Sequence, residues 1–170
     1  FDIYTALQNC AAFIQQFGGH KYAAGLTIKE SNYNAFKAAF ESEVAKTLPT
    51  QLKTPELLID AELNLVDITP KFYRILKQFA PFGPQNMSPV FTTNAVCDSG
   101  YGKCVGKDNK HLKISVQQNN SRPVNSIGFG LGSKLNLVKN GALFNIAYSI
   151  EENLWNERVS LQLKLKDLKL

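Results

Sequence analysis

The sequence predicts an α+β protein in two parts: a short helix–strand–helix segment followed by a small closed β-barrel. Three observations carry that reading. Apolar residues recur at helical spacing through the first fifty positions. The stretch Leu48-Pro49-Thr50-Gln51-Leu52-Lys53-Thr54-Pro55 then breaks every periodicity and reads as a linker. Beyond it, about five or six strand patterns and one or two helices share roughly 115 residues, which is the composition of a small barrel. The boundaries drawn are 1–50 for the first part, 51–56 for the linker and 57–170 for the barrel.

In the first part, Ala6, Cys10, Phe13, Ile14 and Phe17 fall on one helical face, and Gly18-Gly19 is expected to stop that helix. Ala23 to Ile28 reads as a short buried strand. A second amphipathic helix follows Ser31, with Tyr33, Phe36, Phe40 and Val44 along one side.

In the second part, Leu57 to Val66 is strand-like. Thr69-Pro70 then starts a helix, with Thr as N-cap and Pro at the first helical position. This helix is expected to bury Phe72, Ile75, Leu76 and Phe79, and to end in the rigid turn Ala80-Pro81-Phe82-Gly83-Pro84-Gln85-Asn86. Strands are expected at Val90–Cys97, His111–Gln117, Pro123–Phe129, Leu143–Glu151 and Val159–Leu168. Alternation marks Leu112, Ile114 and Val116 as one inward face, and Val159, Leu161, Leu163 and Leu165 as another. Ser133–Lys139 reads as a short helix or a loop, closed by an Asn140-Gly141 turn.

Composition narrows the function classes. The chain has 170 residues, 44% of them apolar, enough to fill a core and to argue against disorder. No apolar run approaches the roughly 18 residues of a membrane span, and the first residues lack the pattern of a signal peptide. The chain starts at Phe rather than Met and reads as a piece cut from a longer protein. Its net charge is +5, with +1 in residues 1–54 and +4 in residues 55–170, which suits an anionic partner. Cys10, Cys97 and Cys104 cannot all pair, and neither they nor the two histidines form a zinc pattern. Reduced thiols in a cytoplasmic protein are the expectation.

The most specific stretch is Phe17-Gly18-Gly19-His20-Lys21-Tyr22-Ala23-Ala24-Gly25-Leu26. Two glycines let the backbone turn tightly and offer N–H groups to an oxygen ligand. His20 adds a titratable donor, Lys21 a fixed positive charge, and Ala23, Ala24 and Gly25 leave room for close approach. Two readings fit: a grip on a phosphate, or a helix stop followed by a close-packed strand.

This stretch resembles the Gly-Gly-His…Ala-Ala-Gly signature of the DHH-associated domain of DHH-type phosphoesterases. Across the linker, Ile68-Thr69-Pro70, Ala80-Pro81-Phe82-Gly83-Pro84 with Asn86, and Pro89-Val90-Phe91 look like the RecJ family of single-strand-specific DNA exonucleases. Gly106-Lys107, His111-Leu112-Lys113 and Trp155…Leu161-Gln162-Leu163 continue that resemblance over nearly the whole chain. It implies part of an α/β DHH-associated domain, then an oligonucleotide-binding (OB-like) barrel with a helix before its second strand.

It also implies a role for each half. Gly18, Gly19 and His20 match the family's substrate-contacting motif, with Lys21 and Gly25 beside them. The intact enzyme is expected to digest single-stranded DNA from its 5′ end in repair and recombination. It would use Mn2+ or Mg2+ held in a DHH domain, and no Asp-His-His occurs in this chain. The chain alone is therefore expected to bind no cofactor and to lack nuclease activity. Two positions depart from the family. Gln85 stands where Gly is expected, and Asn156-Glu157 stands where Asn-Gly is expected, which argues against a tight two-residue hairpin after Trp155.

Barrels of this class hold single strands with aromatic platforms and a basic groove. Tyr101, Lys103, Lys107, Lys110, His111 and Lys113 are the candidates, with Lys113 and Ser115 sharing the outer face of a strand with His111. The other reading of this segment is a solvated lysine-rich hairpin. Trp155 stacks on a base or caps the barrel, and Tyr73 and Arg74 face a strand or another domain. Single-stranded DNA is the expected partner, with repair or replication proteins beside it and no membrane. A protein-docking or architectural module is the alternative from another class. An RNA or small-nucleotide substrate fits less well, because such enzymes are not expected to carry the barrel.

Overall fold

The computed structural model describes every residue but Asn120, and the backbone alone of Trp155. The chain divides into two compact units, Phe1–Leu57 and Leu58–Leu170.

The first unit is a helix, a hairpin and a longer helix. Asp2 caps α1 (Ile3–Gln8), its carboxylate accepting the Thr5 N–H at 3.0 Å. The helix stops there, and a single 3-10 turn at Ala11–Phe13 leads into β1 (Gln16–His20). Gly18-Gly19 therefore lies inside a strand and stops no helix. The apolar spacing from Ala6 to Phe17 spans a helix, a turn and a strand that happen to keep one period.

β1 pairs antiparallel with β2 (Ala23–Thr27) through a two-residue Lys21-Tyr22 turn. β2 is mostly exposed, not the buried strand expected, because its one strand partner among the described residues is β1. α2 (Tyr33–Thr47) buries none of Tyr33, Phe36, Phe40 and Val44, though Phe36 and Phe40 stack on each other at 5.6 Å. Only Ala6, Leu7 and Cys10 are buried apolar residues among those described in this unit.

The second unit is a closed five-stranded barrel with two short additions. β4 (Phe91–Asp98) pairs with β8 (Phe144–Trp155), β8 with β9 (Arg158–Lys169), and β9, in parallel, with β7 (Val124–Gly128). β7 then pairs with β6 (His111–Gln117), and β6 returns to β4 through Cys97↔Gln117 and Asp98↔Val116. All pairings but β7–β9 are antiparallel within the ring. β3 (Ala61–Glu62) runs parallel beside β4, and β5 (Lys103–Val105) lies antiparallel beside β6. Leu57 to Val66 thus supplies only a two-residue strand, followed by a 3-10 turn at Leu65–Asp67.

α3 (Pro70–Leu76) precedes β4, with Thr69 accepting the Phe72 N–H at 3.1 Å as the spacing predicts. Phe72, Tyr73 and Leu76 pack on the barrel core. Ile75 and Phe79 are exposed instead of buried, because a helix this short presents only one narrow face to the barrel.

Leu112, Ile114 and Val116 point inward, as do Phe144, Ile146, Tyr148, Ile150, Leu163, Leu165 and Leu168. Val159 does not: it is 64% exposed, because the β8–β9 hairpin runs past the end of the barrel, where there is no interior to fill. At the core, Thr93 donates to the Leu63 carbonyl at 2.7 Å and receives the Tyr148 hydroxyl at 2.8 Å.

Two turns answer the departures noted above. Gly83 and Asn86 exchange backbone hydrogen bonds of 2.8 and 2.9 Å around Pro84-Gln85. Gln85 has φ +69°, so it occupies the left-handed position that glycine takes without strain in a Pro-led turn, at a cost of about 1 kcal/mol. Trp155 pairs directly with Arg158, so Asn156-Glu157 is a tight two-residue turn, contrary to the expectation. Asn156 and Glu157 both adopt positive φ, at 46° and 61°. The twist of the long paired strands favours this turn strongly enough to hold a glutamate where glycine is usual.

Candidate nucleic-acid interface

The outer face of β5, β6, β7 and β9 carries the chemistry of the second unit. Because Leu112, Ile114 and Val116 point inward, His111, Lys113 and Ser115 must point out. Strand register then lays Lys103, Lys113, Ile127 and Lys164 in one row across four strands. Lys103 and Lys113 are direct partners and both exposed, a juxtaposition that repels unless an anion lies across it. Lys164 is already engaged, 3.0 Å from the Glu151 carboxylate.

The loop feeding this face is organised by Asp98. Its carboxylate accepts the N–H groups of Gly100 at 3.0 Å and Gly102 at 2.8 Å, and of Ser115 at 3.0 Å. Tyr101, 77% exposed, is thereby presented beside Lys103, Lys113 and Asn125. The next turn, Lys107–Asn109, is braced from behind by Gly132, whose N–H donates to the Lys110 carbonyl at 2.9 Å. A Cβ at Gly132 would stand 2.2 Å from the Asn109 carbonyl oxygen, so no larger residue fits without displacing that turn.

The predicted site residues divide on inspection. Tyr101, Lys103 and Lys113 share the outer face. Lys107 is exposed on the adjacent turn, while Lys110 is 3.4 Å from Asp108 and partly neutralised. His111 is half-buried and accepts the Gly130 N–H at Nδ1, 3.1 Å away, with its ring edge-on to Phe129 at 5.1 Å. Those contacts make His111 a support for Phe129. The Trp155 side chain lies outside the described residues; its backbone ends β8. Tyr73 packs on the barrel core, and with Arg74 it lines a separate cleft on the other side of the β8–β9 hairpin.

Residues the sequence reading passed over complete the face. Phe129, 59% exposed, sits in a cleft of about 600 Å3 with Ile127, Asn125, Asn153, Arg158 and Gln162. A signal for Phe129 was present: Ile127 and Phe129 alternate with Ser126 and Gly128, so the small residues point inward and the large ones outward. Arg158 could not be found this way, because the hairpin that delivers it depends on the Asn156-Glu157 turn.

In the first unit the Gly-Gly-His stretch forms one strand of the hairpin. Gly19, at φ +141°, lies against β2 so closely that a Cβ would stand 2.3 Å from the Ala23 carbonyl oxygen. Gly18 and Gly25 face each other in register, and a Cβ at either would meet nothing within 4 Å. His20 Nδ1 accepts the Tyr22 N–H at 3.2 Å, which leaves Nε2 as the outward donor of the neutral ring. Lys21 is exposed at the turn.

A closed barrel with this pairing order and an outer face of cations and aromatics invites comparison with known proteins. A family model described as the RecJ OB domain matches residues 59–167, more than half of the chain. The chain belongs to the RecJ OB domain family. It is similar to the single-stranded-DNA-specific exonuclease RecJ of Bacillus subtilis, 27% identical over 168 residues, covering 98% of this chain and 21% of that protein. It is also similar to RecJ of Escherichia coli, 25% identical over 90% of this chain and 26% of that protein. The crystal structure of RecJ in complex with Mn2+ from Thermus thermophilus superposes with a TM-score of 0.68. That match has 23% identity and covers 98% of this chain and 23% of the other, a likeness of fold.

The chain thus spans 21% to 29% of the length of the curated relatives it matches. Among the described residues no three His, Cys, Asp or Glu side chains come together as a metal site. No helix among the described residues is long and apolar enough to cross a membrane.

Proposed function

We propose that this chain is the substrate-holding part of a single-stranded-DNA-specific 5′→3′ exonuclease acting in DNA repair and recombination, the barrel gripping the strand on the β5–β6–β7–β9 face. The observation that carries this is the adjacent cations Lys103 and Lys113 beside Tyr101 and Phe129, with Arg158 closing the far side. Cations hold the phosphates without reading sequence, and the rings offer platforms for unstacked bases. The relatives are named as exonucleases of that specificity, which supports the same substrate here.

The hairpin of the first unit, in this reading, grips a phosphate near the scissile bond in the intact enzyme. The Gly18–Gly25 strip exposes bare backbone, the His20 Nε2 donor points outward, and Lys21 adds charge. Hydrolysis itself belongs to a metal-bearing catalytic domain outside this chain, so the 170-residue protein should bind DNA without cutting it.

Fluorescence anisotropy with labelled single strands of about 15 nucleotides, over a salt series and with duplex as control, tests the barrel. Salt-sensitive binding selective for the single strand is expected. Equal affinity for duplex, or none at low salt, would transfer the barrel to protein docking. For the hairpin, His20→Ala in the intact enzyme should lower turnover on the order of 100-fold with folding unchanged; undiminished turnover would remove the phosphate grip.

A further inference from the structure

Resting on the reading of this face as a single-strand platform, the geometry points to a nucleobase-reading subsite beneath the β8–β9 hairpin. There the carboxamides of Asn125, Asn153 and Gln162 hydrogen-bond the edge of one base lying on Phe129.

The three amides come from three strands, β7, β8 and β9, and line the same cleft of about 600 Å3, room enough for a nucleoside. Asn153 and Gln162 sit two pairing steps apart on the same face of adjacent strands, where the register gives Asn153↔Ser160 and Glu151↔Gln162. A carboxamide is uncharged and contributes little to neutralising a phosphate. It presents a donor and an acceptor side by side, the complement of a base edge.

Several other amides of this unit have structural work. Asn86 ties the 80–86 turn, Asn94 holds Glu62, Asn145 caps Ala95, and Gln118 bridges Leu65 and Asn94. Asn125, Asn153 and Gln162 make no such bonds among the described residues. No carboxylate among the described residues lines the cleft, and Glu151, the register partner of Gln162, is paired with Lys164 at 3.0 Å.

The consequence is a base preference laid over a sequence-tolerant phosphate grip. Adenine is the best match, because its N6 carries two N–H donors, one beside N7 and one beside N1, so two carboxamides can each make a two-bond pair with it, whereas thymine's single N3–H serves one. The test compares this 170-residue chain with two oligomers of about 15 nucleotides. One is a repeat of thymidine-thymidine-adenosine, which offers an adenine in any register without a long self-stacked run; the other is all thymidine. The expected result is about fivefold tighter binding of the adenine-containing strand. Asn125→Ala with Gln162→Ala should abolish that difference while leaving the salt slope, which counts phosphate contacts, in place. Gln162→Glu, which keeps the shape but removes the amide donor, should reduce the preference and guards against a folding artefact.

Equal binding of the two oligomers by the unaltered protein would overturn the base-reading subsite and leave the platform standing. So would a preference that survives the double substitution. Failure to bind either oligomer would overturn the platform itself.

Discussion

Replacing Lys103, Lys113 and Arg158 together with alanine is expected to weaken single-strand binding about 100-fold near 0.1 M salt. It should also flatten the slope of log affinity against log salt by about 2. These cations line the clefts of the outer face, and Lys103 and Lys113 stand side by side across two strands. Each phosphate contact on a single strand releases roughly 0.7 of a counterion, so losing three removes about two from the slope. Lys110→Ala serves as the contrast: its ammonium already faces Asp108 at 3.4 Å, and its removal should change affinity less than twofold. An unchanged slope in the triple variant would place the strand on another surface of the barrel.

The second large effect concerns stability against pH. The Tyr148 phenol is fully shielded from solvent at the barrel core, and burial pushes its pKa from 10.0 up to about 12. The unfolded chain releases this proton near pH 10, whereas the folded chain keeps it until about pH 12. The folded pKa is the higher one, so the contribution is fully present below pH 10 and is lost as the pH climbs through 12. The loss amounts to about 2–3 kcal/mol. Tyr148→Phe should remove this step from the difference between the two proteins' stability curves, measured by chemical denaturation from pH 8 to about 12. At neutral pH it should cost about 1 kcal/mol, for the hydrogen bond to Thr93. Parallel curves for the two proteins would mean that Tyr148 does not hold its proton inside the barrel.

The barrel strands could be read from the sequence because alternation needs only a wet side and a dry side, and Leu112, Ile114 and Val116 supply the dry one. Thr69-Pro70 was equally readable, since a cap is a local event of three or four residues. What failed were patterns whose meaning depends on distant chain. Phe13, Ile14 and Phe17 keep helical spacing, yet Gly19 belongs to a strand because Ala23 and Ala24 lie against it. Leu57, Leu58 and Ile59 look like a buried strand but stay exposed, since only Ala61 and Glu62 reach β4. The lysines of the interface were visible by composition. Phe129, Arg158 and the three amides were not, because a cleft made by five strands has no signature along any one of them.

The barrel closes on itself between β4 and β6 through only two residue pairs, and Asp98 belongs to one of them. The same carboxylate gathers the N–H groups of Gly100 and Gly102, which hold the loop carrying Tyr101. One side chain is therefore both latch and hinge pin: it fastens the narrow seam of the cylinder through the Ser115 N–H and fixes the loop that presents Tyr101. Removing that one carboxylate would slacken the thinnest joint of the cylinder and free the loop beside it at the same time.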